Sequence, residues 1–206
     1  MNKYKCILFD LDGTVLNTER MNMVPLQRLI KEELGIEMSY NEILKFKPYP
    51  GIKVMEELGF EDIHASYKKW VKYVNDFEEG ATLFEGFEEV FEELNDKNII
   101  CGIVSSKTRK QYEIDFVQKG LNKYVKCEVL ADDTEIHKPY PDPLLKAAEI
   151  LNISPSDCLY VGDTIFDYKA TKAAGMDFAL ALWGADFTEG IHADYDLKEP
   201  KDLLKI

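Results

Sequence analysis

Two carboxylates separated by one residue close a short apolar run, Phe9-Asp10-Leu11-Asp12-Gly13-Thr14. Residues i and i+2 of an extended chain point the same way, so Asp10 and Asp12 face one cleft beyond the end of the run. Gly13 lets the backbone turn tightly behind them. Two like charges held this close must raise one pKa or recruit a cation. Either outcome suits phosphoryl transfer. One carboxylate attacks phosphorus while its neighbour, protonated part of the time, serves as acid to the leaving oxygen and base to water. An Asp-Gly turn is a simpler reading of Asp12, but it leaves Asp10 unexplained, since burying a lone carboxylate is costly.

Three further segments place polar residues after apolar runs. In Cys158-Leu-Tyr-Val-Gly-Asp163-Thr-Ile-Phe-Asp167 the run again ends in acid. Mg²⁺ takes oxygen ligands and is usually held by one or two carboxylates with water and phosphate, a role open to Asp10 and Asp163. Asp167, one helical turn on, is placed to complete or support that shell; the competing reading is that Asp163 or Thr164 merely caps a helix beginning near Phe166. In Ile103-Val-Ser105-Ser106-Lys107 hydroxyls follow a strand end where a helix starts, so Ser105 and Ser106 can present N–H and O–H groups to an anion. A plain helix cap is the alternative. Lys138 stands in a loop stiffened by Pro139, Pro141 and Pro143. There its ammonium can lie against phosphate oxygens and ease the approach of an attacking carboxylate, although most loop lysines are simply solvated.

These residues need a scaffold that brings four chain segments together. Apolar runs recur at Tyr4 to Phe9, Ile99 to Val104, Cys127 to Ala131, Cys158 to Val161 and Asp177 to Leu182, and read as strands buried on both faces. Helical periods lie between them, as in Gly86 to Lys97 and Leu144 to Leu151. That alternation predicts an α/β fold, a doubly wound parallel sheet with helices on both faces. The stretch from 18 to 82 breaks the rhythm. It reads as an inserted small all-helical domain with pieces at Met21 to Leu34, Asn41 to Lys45, Lys53 to Leu58 and Ile63 to Phe77, punctuated by Gly35, Pro48, Pro50, Gly51 and Gly59. Residues 1–17 and 83–206 are then the α/β core. Ligands of open α/β sheets bind at the carboxyl ends of the strands, so an insertion leaving after the first strand is placed to act as a lid.

Composition narrows the partners. With 46% hydrophobic and 31% charged residues, the 206-residue chain falls among ordinary globular proteins. No apolar stretch approaches the roughly 20 residues of a membrane helix, and the run Cys6 to Leu11 is too short for a signal peptide and contains Asp10. A cytoplasmic protein is expected. A net charge of −13 argues against nucleic acid as a partner. An anionic substrate needs a local correction to that field, from a divalent cation or a few placed lysines. Cys6, Cys101, Cys127 and Cys158 are scattered singly and read as buried reduced thiols.

Three of the four segments are weak by themselves; their order, each at the end of an expected strand, is specific. Asp-x-Asp-Gly-Thr at Asp10 to Thr14, Ser105, Lys138-Pro139 and Gly-Asp-x-x-x-Asp at Gly162 to Asp167 resemble the four motifs of haloacid dehalogenase-type phosphatases. The resemblance implies that Asp10 is a nucleophile forming an aspartyl-phosphate and that Asp12 is the general acid and base. Ser105 and Lys138 would hold phosphate, with Gly13, Thr14 and Ser106 completing the binding loops. Mg²⁺ would be bound by Asp10, the backbone carbonyl of Asp12 and Asp163, with Asp167 beside it. The insertion resembles the helical cap of the phosphoglycolate phosphatase and β-phosphoglucomutase branch. Gly162-Asp163 and Ala181-Leu-Trp-Gly184 look more like its phosphatases than its mutases, which tend to carry Glu-Asp at the first position. Asn17-Thr18 departs from the Asp-Thr or Asp-Ser usual at the cap hinge. Hydrolysis of a small phosphorylated metabolite is therefore expected; a phosphosugar mutase is the alternative, and a non-catalytic binding module the third reading. Lys45, Lys47 and Lys53 are candidates for a second anionic group of the substrate. Oligomeric state is not encoded legibly.

Overall fold

Apolar β-branched and aromatic runs, too short for helices and flanked by turn residues, pair as the centre of a six-stranded sheet. The computed structural model describes residues 3–206 except Pro48 and Pro50. Its strands are β1 (Cys6–Phe9), β2 (Leu16–Asn17), β3 (Thr82–Leu83), β4 (Ile100–Val104), β5 (Val125–Val129), β6 (Cys158–Gly162), β7 (Asp177–Ala181) and β8 (Tyr195–Leu197). The main sheet has the order β5-β4-β1-β6-β7-β8, and every pair in it is parallel. β2 and β3 make a separate two-stranded sheet. The chain therefore builds outward from β1 in one direction through β4 and β5, then returns to the other side of β1 for β6, β7 and β8. The reversal falls at β1, and the crevice it leaves at the strand ends is where an open α/β sheet binds ligands.

Helices α1 (Glu19–Leu34), α2 (Tyr40–Ile43), α3 (Gly51–Leu58), α4 (Ile63–Asn75), α5 (Phe87–Asp96), α6 (Arg109–Asp115), α7 (Asp142–Leu151) and α8 (Ile165–Ala174) complete the elements, joined by short 3₁₀ turns. The chain separates into two compact units, Met1–Asn17 with Leu83–Ile206, and Thr18–Thr82. In the first, one core cluster gathers Cys6, Leu8, Cys158, Tyr160 and Phe178 from the strands with Leu144 and Ala147 of α7 and Ala170 of α8. Phe87 and Phe91 of α5 pack with Phe9 of β1, ring centroids 6.1 and 5.1 Å apart. All four cysteines are buried and free.

The second unit has its own core: Leu26, Leu29 and Ile30 of α1 meet Val54 and Met55 of α3 and Trp70 of α4. Trp70 Nε1–H donates to the Asn22 carbonyl at 2.9 Å, which ties α4 to α1. Pro25 lies inside α1 and is buried. Pro48 and Pro50, read from the sequence as breaks between helices, lie outside the described residues. No helix among the described residues is long and apolar enough to cross a membrane.

Several boundaries differ from the sequence reading. The strand expected at Cys127 to Ala131 begins earlier, at Val125, and ends at Val129; Ala131–Asp133 is a 3₁₀ turn. The helix expected at Asn41 to Lys45 is four residues long and gives way to a 3₁₀ turn over Leu44–Phe46. β8 was not expected. It is three residues at the sheet edge, with an exposed Asp196 between Tyr195 and Leu197, and such a run has no continuous apolar signal.

Candidate active site

The register brings the motifs to one edge of the sheet. Phe9 is level with Ile103 of β4 and with Val161 of β6. Asp10, Ser105 and Asp163, each one or two residues beyond those positions, therefore leave adjacent strands at the same height. Asp10 N–H donates to the Val161 carbonyl at 2.9 Å, carrying the β1–β6 ladder one residue further. The turn that follows is fastened on itself: the N–H groups of Thr14, Val15 and Leu16 all donate to the Leu11 carbonyl, and Gly13 N–H donates to the Leu16 carbonyl.

Two glycines permit this packing. Gly13 has φ +75°, and a Cβ on it would lie 2.2 Å from Asp163 Oδ2. A Cβ on Gly184, in the loop after β7, would lie 1.7 Å from the Gly13 carbonyl oxygen. Beside Gly184, Trp183 donates Nε1–H to the Thr14 carbonyl at 2.8 Å, and its ring packs edge-on to Phe84 and Phe87. The turn bearing the expected nucleophile is thus held from the β7 side as well as by its own hydrogen bonds.

Carboxylate oxygens of Asp10, Asp163 and Asp167 all lie within 4.8 Å of one another. The three residues are 8%, 9% and 0% exposed. Lys138 Nζ sits 3.1 Å from Asp10 Oδ1 and donates to Asp167 Oδ1 at 2.7 Å and to the Tyr160 hydroxyl at 3.0 Å. The stiff loop after β5 thus delivers a buried ammonium. Burial opposes its charge, but Asp10 and Asp167 hold it well above the ordinary lysine range. Burial pushes Asp10 up to about 6, helped by Asp167 and Asp12 and opposed by Lys138. Asp163 is raised well above the usual carboxylate range by burial, Asp167 and Asp10.

Three carboxylates against one ammonium leave a surplus of negative charge in a dry site, which must take up a proton or a further cation. Asp10 Oδ1 has an ammonium near it but is buried without a directed hydrogen bond. An all-oxygen donor set with an uncommitted carboxylate oxygen fits a hard divalent ion. Asp163 is free for that role because Thr164, not Asp163, caps α8: its hydroxyl accepts from Asp167 N–H, and Asp167 Oδ2 accepts from Thr164 N–H at 3.0 Å. Asp167 is engaged by Thr164, Lys138 and Tyr160, so it braces Lys138 at least as much as it offers a ligand. Thr14 donates its hydroxyl to Asp163 Oδ1 at 3.0 Å.

Asp12 stands apart from this carboxylate group, its side chain 43% exposed and its Oδ1 3.1 Å from Lys107 Nζ. Ser105 is buried, its N–H donating to the Val129 carbonyl and its hydroxyl accepting from Lys107 N–H at 3.4 Å. It is not the helix cap; Thr108 caps α6. Ser106 is exposed. Lys107, Tyr160, Trp183 and Gly184 have roles here that the sequence reading did not assign. In the sequence Lys107 only closes the hydroxyl segment after a strand, and Tyr160 is one more position in an apolar strand.

Residues 7–181 match the haloacid dehalogenase-like hydrolase family. The chain is 30% identical over 209 residues to the pyrophosphatase PpaX of Bacillus cereus strain B4264, covering 97% of this chain and 94% of that one. A candidate phosphoglycolate phosphatase from Lactobacillus plantarum is 27% identical and superimposes with a TM-score of 0.83 over 98% of both chains. A candidate phosphatase from Clostridium difficile, 22% identical, shares the fold with a TM-score of 0.88 over 100% of this chain and 99% of that one.

Proposed function

From the premise that this chain belongs to the haloacid dehalogenase-like hydrolases and is an enzyme of the phosphatase class, we propose that it is a Mg²⁺-dependent phosphohydrolase acting through Asp10. One observation carries the reading: Asp10 Oδ1 is buried, lacks a directed hydrogen bond, and lies 3.1 Å from Lys138 Nζ beside Asp163 and Asp167. A nucleophile needs an oxygen whose lone pair is not already committed.

In this reading Asp10 Oδ attacks phosphorus of a small phosphorylated compound, and the bond to the leaving oxygen breaks as the aspartyl-phosphate bond forms. Lys138 and the Ser105 hydroxyl hold the non-transferred oxygens, with Gly13, Thr14 and Ser106 shaping the loops around them. Asp12 delivers a proton to the leaving oxygen, then takes one from the water that attacks phosphorus and restores the Asp10 carboxylate. Mg²⁺, held by Asp10, Asp163 and the Asp12 carbonyl with Asp167 in support, would neutralise charge on the phosphoryl oxygens. The residues that would hold it are those whose surplus charge calls for a cation.

The relatives' names make pyrophosphate and small phosphomonoesters the first substrates to try. The net charge of −13 favours a small ligand bound at a local cationic feature over a nucleic acid. The resemblance of Gly162-Asp163 and of Ala181-Leu-Trp-Gly184 to the phosphatase members of the branch supports hydrolysis over mutase chemistry. The test is phosphate release from pyrophosphate, phosphoglycolate, sugar phosphates and bisphosphates, with Mg²⁺ and then with EDTA. Chelator-sensitive release supports the reading. Turnover of sugar monophosphates only with a bisphosphate present, without net phosphate release, would replace it with the mutase.

A further inference from the structure

Outside the carboxylate cluster, a second buried charge pair reaches the same site. Lys107 Nζ lies 2.6 Å from Asp115 Oδ2 and 3.1 Å from Asp12 Oδ1. The lysine is 7% exposed and Asp115 only 2%. Asp115 is the last residue of α6, eight positions after Lys107. The backbone of Lys107 is pinned on both sides, its N–H donating to Ser105 Oγ and its carbonyl accepting from Ala131 N–H at 2.9 Å. A lysine this buried, with its backbone fixed and its ammonium anchored by a carboxylate that reaches nothing catalytic, is a rigid arm. The same ammonium meets Asp12 Oδ1, a buried oxygen with no directed hydrogen bond of its own.

We propose that the Lys107–Asp115 pair is a positioning device for Asp12, fixing the orientation of the carboxylate expected to exchange protons with leaving group and water. The inference rests on the proposed phosphohydrolase chemistry. Asp12 lies at the start of a tight turn and its side chain is 43% exposed, so without a fixed partner it is free to change rotamer. Lys107 fastens one of its oxygens and leaves the other to act. Asp115 keeps Lys107 from swinging toward bound phosphate. Proton transfer demands such placement, since a donor slightly out of line loses most of its effect.

Removing Lys107 alone leaves Asp115 buried and unpaired, which threatens the fold; replacing both charges together does not. The experiment therefore uses the double variant Lys107→Met/Asp115→Asn, with Lys107→Arg beside it and wild type as reference. The readouts are melting temperature and the kcat/KM values for p-nitrophenyl phosphate and for the best alkyl phosphate that the wild type hydrolyses. An alkoxide leaving group needs a proton, whereas p-nitrophenolate does not. The double variant should melt within a few degrees of wild type. It should lose on the order of 10- to 100-fold in kcat/KM on the alkyl ester, and no more than about threefold on the nitrophenyl ester. Lys107→Arg should recover part of the loss.

Equal losses on both esters, or none on either, would show that the pair only supports the fold and would overturn the proposal. A rise in KM with kcat unchanged would overturn it in favour of direct substrate binding by Lys107. Absence of any wild-type hydrolysis would instead remove the phosphohydrolase reading on which it rests.

Discussion

At the residue scale, the chemistry turns on acids that are costly to keep charged. Burial pushes Asp10 from an ordinary 3.8 up to about 6 and raises Asp163 as well. Between 3.8 and about 6 the folded chain holds a proton on Asp10 that the unfolded chain has released, so this group's contribution to stability falls as pH rises through that window. Asp163 extends the fall to higher pH. Metal-free protein should therefore melt lower at about pH 7.5 than at about pH 5, with a smaller difference in Asp10→Asn. Mg²⁺ should raise the melting temperature more at the higher pH, because only the ionised carboxylates attract it. Calorimetric scans with EDTA and with Mg²⁺ at both pH values decide this; a metal effect independent of pH would count against the cluster as its site. Tyr160 offers a second check. Its hydroxyl donates to the Val104 carbonyl at 2.8 Å and accepts from Lys138. Tyr160→Phe should cost about 1–2 kcal/mol of stability, by leaving a buried carbonyl unpaired. It should also lower kcat roughly tenfold by loosening Lys138. Denaturant titration beside steady-state rates measures both.

Among the elements, what the sequence made legible was where polar residues interrupt apolar runs. Asp10, Ser105 and Asp163 stand at or just beyond the ends of three expected strands, so parallel alternation sufficed to place them together. The expected sheet emerged with shifted ends. Contacts that depend on side-chain reach were not legible: Lys107 to Asp115 spans a helix, and Tyr160 puts its polar tip through an apolar face to reach Lys138. Trp183-Gly184 was noticed only as a resemblance. Its physical meaning is the close approach of Gly184 to the Gly13 carbonyl, which no local pattern announces. Gly184→Ala should force the turn after Asp10 to move. Activity should fall at least about 100-fold, with a stability loss of roughly 1–3 kcal/mol from overpacking. Rates near wild type would show that the turn adapts without consequence.

For the whole molecule, composition and chemistry pull in opposite directions. A chain with a net charge of −13 repels the anions it is proposed to hydrolyse, and because the carboxylates around Lys138 outnumber its ammonium, the proposed cation is what would reverse the field locally. Screening weakens the long-range repulsion more than the short-range attraction within the site. At saturating Mg²⁺, kcat/KM for an anionic substrate should therefore rise as ionic strength goes from about 10 to about 150 mM. A steady decline over that range would mean that the local field already dominates substrate approach. Residues 18–82 form a compact unit with a core of its own, in which Leu26, Leu29, Ile30, Val54 and Met55 are fully buried.

The claim beneath all of this is that Asp10 becomes covalently phosphorylated, and the most direct measurement is to catch that bond. Wild type and Asp10→Asn would be acid-quenched during turnover of the best substrate, reduced with borohydride, digested and examined by mass spectrometry. The proposed chemistry predicts that aspartate 10 of the wild type is converted to homoserine by reduction of its acyl phosphate. It also predicts that Asp10→Asn folds, shows no such product and loses on the order of 10⁴-fold in rate. Undiminished turnover by Asp10→Asn, or a phosphoryl group trapped on another residue, would contradict it.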